Sequence, residues 1–183
     1  LRGAFNRMSK LTKEELSKGV IASSAGNHAQ GVALSASFLK CRAVIVMPLT
    51  TPIMKVRAVE SHKAKVILFG ETYDECYEKA LEISKAEKLT FIHPFDDPEV
   101  IAGQGTIGLE ILRQSKTPPD AIYIAVGGGG LIAGVSAYVK AIWPNIKIIG
   151  VEPEDACAMT LSLKANKPIE LESVGLFADG VAV

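Results

Sequence analysis

Short runs of apolar, largely β-branched residues alternate along the whole chain with stretches of helical periodicity. The runs are "GVIASS", "CRAVIVMP", "AKVILFG", "LTFIHPF", "AIYIAV" and "IKIIGVE". Several are nearly continuous in Val and Ile, as in parallel strands buried on both faces. The segments between them carry their own start signals. Thr12–Glu15 and Thr72–Glu75 read as capping boxes, and Gly19 follows the first as a stop. Tyr73, Cys76, Tyr77, Ala80 and Leu81 then mark one apolar helix face. Thr51-Pro52 reads as an N-cap followed by proline at the first helical position. The alternation predicts an α/β fold, doubly wound, with mostly parallel sheets covered by helices on both sides. Ligands of such sheets bind beyond the carboxyl ends of the strands, so the loops leaving the strands are the place to look.

Bulk properties narrow the function. At 183 residues the chain can bury about 70% of its unfolded surface. Lys+Arg and Asp+Glu balance at 20 each, which gives no electrostatic footprint for nucleic acid or an anionic membrane. Cys41, Cys76 and Cys157 are odd in number and far apart, which fits neither a disulfide framework nor a zinc motif and predicts reduced thiols. Ala121–Val139 carries no charged residue. A membrane helix needs about 20 apolar residues. Four consecutive glycines and a serine interrupt this stretch, so it reads as strand, loop and helix, and no membrane partner is expected.

Two strand-end loops carry chemistry. In "VGGGGLIAG", Val126–Gly134, a strand ends, four glycines follow and a helix starts near Leu131. Glycines expose backbone N–H groups, and a helix N-terminus adds partial positive charge, so the loop suits a phosphate. Gly128, Gly130 and Gly134 also fit a loosened dinucleotide fingerprint, with Glu152 where a ribose-binding acid would sit. That leaves a dinucleotide-binding oxidoreductase module as an alternative. "GQGTIG", Gly103–Gly108, satisfies the glycine pattern letter for letter but lies in a helical stretch after Pro98, so its context is wrong. In the second loop, "SSAGNHAQG", Ser24, Ala25, Gly26, Asn27 and His28 offer successive N–H groups, a hydroxyl and an amide. That is an anion site of carboxylate size, or else a helix start capped by Ser or Asn. His28 alone reads more readily as a hydrogen-bonded structural histidine than as a catalyst. His62 and His93 carry no signal beyond surface or loop positions.

Together, "LRGAFN", "SSAGNHAQGVAL", "FDDPEVIAGQGTIGLEIL", "VGGGGLIAGV" and "FADGVAV" resemble the pyridoxal-phosphate-dependent threonine ammonia-lyases (threonine dehydratases) of the tryptophan-synthase-β-like fold, a group that includes serine racemase. The resemblance runs through the whole chain and implies two domains. Residues 19–95 would form a small mobile domain, and residues 1–18 and 96–183 part of a large cofactor-binding domain. It implies that Gly127, Gly128, Gly129, Gly130 and Leu131 hold the phosphate of pyridoxal 5'-phosphate and that Asn27 bonds the cofactor's 3-oxygen. Ser24, Ala25, Gly26, Asn27 and His28 would hold the substrate carboxylate. Phe95 would pass close to the cofactor ring, or else is a core aromatic.

The implied reaction takes L-threonine or L-serine to 2-oxobutanoate or pyruvate and ammonia. In this family Ser-Phe-Lys precedes "LRGAFN", and the lysine forms the Schiff base. The chain is therefore expected to be an internal piece whose catalytic lysine stands just before Leu1, and to be inactive alone. The family further implies a homo-oligomer in the cytoplasm or an organelle stroma or matrix. Two departures narrow the chemistry. Racemases place a Ser where this chain has Ala25, which has no proton to give. The position of a metal-binding Asp in some relatives matches Ala158, so no metal is expected there.

Overall fold

The computed structural model describes residues 1–171, 173–175, 177–178 and 180–181. Leu176, Asp179, Ala182 and Val183, part of the "LFADGVAV" end, lie outside the described residues, as does Glu172. The chain divides into two compact units, Leu1–Gly103 and Gln104–Val183.

The first unit holds helices α1 (Arg2–Ser9), α2 (Lys13–Lys18), α3 (Asn27–Leu39), α4 (Ile53–Glu60) and α5 (Tyr73–Glu87), strands β1 (Val20–Ser23), β2 (Ala43–Met47), β3 (Lys65–Leu68) and β4 (Thr90–Phe91), and the start of α6 (Pro98–Gln114). The four strands form one parallel sheet in the order β3-β2-β1-β4. Both central strands are buried at every position, as their Val- and Ile-rich runs require. On one face Val20, Ala22, Ile45 and Met47 pack with Ala29, Val32 and Ala33 of α3, Val56 and Val59 of α4, and Met8 of α1. On the other, Ile21, Val44 and Val46 meet Cys76 and Ala80 of α5. The sheet is thus covered on both sides, as the alternation predicts.

Local signals place most of these helices. Thr12 and Thr72 each accept the backbone N–H of the Glu three residues on, and that Glu accepts the threonine N–H, so both capping boxes form. Thr51 is not an N-cap. Pro52 is the boundary residue, with ψ 135°, and α4 begins at Ile53. An extended ψ at Pro52 keeps it outside the helix, and Thr51 instead closes a turn by donating its N–H to Pro48 O at 3.0 Å.

α1 is wedged between two glycines. A Cβ on Gly31 would stand 3.0 Å from Leu1 N, and one on Gly103 would stand 2.6 Å from Arg2 O. Asn6 Nδ2 donates to Glu99 O at 2.7 Å, Arg7 pairs with Asp97 at 3.0 Å, and Lys10 pairs with Glu99. Asp97 Oδ1 also accepts the N–H groups of Glu99 and Val100, with Pro98 at the first helical position of α6.

The second unit holds the rest of α6, strand β5 (Ala121–Ala125), α7 (Gly130–Ile142), strand β6 (Lys147–Val151) and α8 (Ala158–Ala165). β5 and β6 pair in parallel from Ala121↔Lys147 to Ala125↔Val151. Ile124, Val135, Val139 and Ile146 form its core. The "GQGTIG" stretch lies inside α6. A Cβ on Gly105 would come within 3.0 Å of Gly134 O and one on Gly108 within 3.1 Å of Val139, so these glycines let α6 and α7 approach. The uncharged stretch Ala121–Val139 resolves into β5, the glycine loop and most of α7. Among the described residues no helix is long and apolar enough to cross a membrane.

Candidate functional site

Both loops singled out in the sequence leave the carboxyl end of a parallel strand and enter a helix, and they belong to different compact units. In the first unit, Ser24 N–H continues the ladder by donating to Val46 O at 3.1 Å. Ser24 Oγ then accepts the Gly26 N–H at 3.2 Å and turns the chain. Gly26, not Ser or Asn, is the boundary residue of α3, and no side chain caps the helix. The capped-start alternative is thereby corrected, because the one serine in position closes a turn ahead of the helix. A Cβ on Gly26 would meet nothing within 4 Å, so open space lies over this bend. The first N–H groups of α3 have no carbonyl one turn back, which leaves donors for an anion approaching through that space. Asn27 is exposed on the first turn.

The His28 ring is hydrogen-bonded within the fold, in line with its reading as a structural histidine. Its Nε2 lies 2.9 Å from Ile92 O, so Nε2 carries the hydrogen and donates. Burial lowers its pKa to about 4, against a smaller opposite pull from the Ile92 carbonyl. Leu1 N lies against the same helix turn, where Gly31 leaves it room.

In the second unit, Val126 N–H donates to Val151 O at 2.9 Å, and the four glycines follow. Gly129 is the boundary residue of α7, with φ 85°, a region L side chains rarely adopt. A Cβ there would stand 2.7 Å from Met159 Cε. Ala133 N–H makes the α-type bond to Gly129 O, so the N–H groups ahead of it have no such intrahelical partner. Leu131 is the second residue of α7. The loop is a side-chain-free cradle at a helix N-terminus, which fits a phosphate.

Glu152 does not fit a ribose. Its Oε1 accepts Met159 N–H at 3.0 Å, and its Oε2 accepts Thr160 N–H at 2.8 Å and Thr160 Oγ1–H at 2.6 Å. It serves as an anionic cap for α8, and the dinucleotide alternative loses its acid. Ala158 opens α8. Among the described residues no group of three or more His, Cys, Asp and Glu is placed to hold a metal ion.

The segment after β4 contains residues the sequence under-read. Phe95 is half-buried and lies edge-on to the His93 ring at 4.8 Å, so it is not a core aromatic. His93 Nδ1 accepts the N–H groups of Phe95 and Asp96 at 3.3 and 2.8 Å. A histidine two residues before an aromatic in an "HPFD" string offers little sequence signal for that role.

Over residues 1–183 the chain matches the family described as "Pyridoxal-phosphate dependent enzyme". The chain belongs to that family. It is 62% identical over 183 residues to a chloroplastic biosynthetic threonine dehydratase of Arabidopsis thaliana, and 58% identical over 186 residues to a biosynthetic L-threonine dehydratase of Burkholderia multivorans. All of this chain is covered in both, but only 31% and 37% of those proteins, so the chain spans about a third of their length. Among solved structures, the processed form of threonine deaminase isoform 2 from Solanum lycopersicum superimposes with a TM-score of 0.94 at 58% identity. That match covers 100% of this chain and 53% of the other. Maize serine racemase superimposes with a TM-score of 0.93 at 37% identity, covering 98% and 54%. The glycine cradle at Gly127–Gly130 has the backbone donors that suit a phosphate, the anionic part of the group in the family's description.

Proposed function

We propose that the chain is the cofactor- and substrate-binding part of a pyridoxal-phosphate-dependent ammonia-lyase acting on L-threonine or L-serine. The observation that carries this reading is identity of 58–62% to threonine dehydratases across the whole chain, both strand-end loops included. Gly127, Gly128, Gly129 and Gly130, with Leu131, hold the phosphate through backbone N–H groups and the positive end of α7. The Asn27 amide bonds the 3-oxygen of the cofactor ring. Ser24–His28 take the substrate carboxylate. When bound, pyridoxal phosphate supplies an electron sink for the charge left at the α-carbon. The net reaction needs no oxidant or reductant: threonine gives 2-oxobutanoate and ammonia.

Residues 19–95, with the four-stranded sheet, form the small mobile domain in this reading, and 1–18 with 96–183 contribute to the large one. The protein acts as a homo-oligomer in the cytoplasm or an organelle stroma or matrix. Likeness to serine racemase favours a second reading, racemisation, but Ala25 has no group to deliver a proton to the second face of the α-carbon.

The full-length protein mixed with pyridoxal phosphate should turn yellow and release 2-oxobutanoate from threonine, with no D-serine formed from L-serine. A colourless protein that makes no oxo acid defeats the proposal, and D-serine in chiral analysis replaces it with the racemase.

A further inference from the structure

The exits of β1 and β4 run side by side, and two imidazoles lie across them. Ile92 N–H donates to Ile21 O at 2.9 Å, extending the pairing one residue past β4. The Ile92 carbonyl then accepts from His28 Nε2 at 2.9 Å, which ties the first turn of α3 to this exit. At the next residue the His93 ring folds over the chain that follows it. Its Nδ1 accepts Asp96 N–H at 2.8 Å and Phe95 N–H at 3.3 Å. Pro94, between His93 and Phe95, has no N–H to give. Phe95 lies edge-on to the ring at 4.8 Å, Phe91 at 6.1 Å and Tyr77 of α5 at 6.1 Å, so the imidazole is bracketed from three directions.

We propose that His93 is a positioning residue: in its neutral form it holds residues 93–96, and with them the Phe95 ring, in the chain that leaves the His28-bonded Ile92, and its protonation releases them. The link to the role of the Ser24–His28 loop rests on the lyase reading; the backbone clamp does not. An imidazole accepts at Nδ1 only while that nitrogen is bare, so the clamp requires the tautomer with hydrogen on Nε2. The charged and titratable groups around the ring are Asp96 and Asp97 on its own loop, His28 on α3 and Tyr77 on α5. Burial lowers the pKa of His93, which favours the neutral clamp, and the two aspartates oppose that shift.

Hydrogen–deuterium exchange of the full-length, cofactor-loaded protein tests this. In the wild type, Phe95 and Asp96 amides should be protected near pH 7.5. At about pH 5, after correction for intrinsic exchange, they should lose about tenfold or more, as expected when a hydrogen-bonded donor loses its acceptor. In His93→Asn, Oδ1 stands where Nδ1 does, so protection should persist and no longer depend on pH. In His93→Gln the oxygen reaches the place of Nε2, so protection should be lost at both pH values. The Ile92 amide, bonded to Ile21 O, should stay protected in all three and certifies the fold. On threonine, His93→Gln should raise KM and His93→Asn should restore it. Equal exchange in the Asn and Gln variants, or wild-type protection indifferent to pH, overturns the clamp. The predicted exchange in a protein inert toward threonine supports the clamp and removes the lyase reading alone.

Discussion

Gly128 and Gly129 pose the sharpest residue-level question, because one loop admits a phosphate reading and a packing reading. Gly129 is required by the turn itself, with φ 85° and Met159 2.7 Å from where its Cβ would be. Its presence therefore does not discriminate. Gly128 does, because a carboxylate there would face the phosphate and block part of the N–H cradle. Losing one charge-assisted bond costs roughly 1.5–3 kcal/mol. Gly128→Asp should therefore weaken cofactor binding by at least about tenfold. Titration of the full-length variant by cofactor absorbance measures it, and an affinity equal to wild type would make the glycines a packing turn only.

Elements whose starts are written locally were the legible ones. The capping boxes at Thr12 and Thr72 need only four consecutive residues, and both form. The buried parallel strands announce themselves through Val and Ile. The α3 boundary was harder, since Ser24, Gly26 and Asn27 all qualify locally and only the ladder bond from Ser24 to Val46 decides among them. Glu152 and His93 were not legible in their roles, because each acts through partners that the fold assembles. The start of α6 joins both kinds of signal. Asp97 caps the helix locally and pairs with Arg7 from far away in sequence. Asp97→Ala should cost about 1 kcal/mol for the cap, with little more from the partly exposed ion pair. Asp97→Asn keeps the cap and loses the pair, so urea unfolding should leave it close to wild type. An Asn variant as unstable as the Ala variant would instead assign the stability to the ion pair.

Two properties belong to the whole molecule, and the first is its response to acid. His28 titrates near 4 in the folded state, against an ordinary value near 6.5. As pH falls below about 6.5, the unfolded chain takes up a proton that the folded chain refuses, so stability falls with pH. The loss grows down to the folded pKa and reaches up to about 3 kcal/mol from this residue, since one pKa unit is about 1.4 kcal/mol. His93, also lowered, contributes in the same direction. Carboxylates titrate in part of the same range, so the comparison needs a variant. His28→Gln can still donate to Ile92 O but carries no proton to exchange. The gap between its urea midpoint and that of wild type should narrow as pH falls from about 7 to 4.5, and a constant gap would show that His28 is not the group involved.

The second property is the open face of the β5–β6 pair. Parallel sheets are ordinarily covered on both faces, and two strands alone are marginal. Here Ile124 packs inward against Val135 and Val139, while Tyr123 and Val151, which point the other way, are 69% and 50% exposed. Tyr123 is paired with Ile149 and Ala125 with Val151, so the exposed side chains form one apolar strip along a two-stranded ribbon. Such a strip, on a sheet of two strands among the described residues, favours association with a second copy. Residues 1–183 should therefore self-associate with rising concentration. Tyr123→Lys with Val151→Thr places a charge and a hydroxyl on that strip while leaving Ile124 in the core. Light scattering should show the double variant shifted toward monomer with its circular dichroism unchanged. Association as strong as that of the unmodified chain would move the sticky surface elsewhere, most directly to Leu49, Ile53 and Met54, which are also exposed in the first unit.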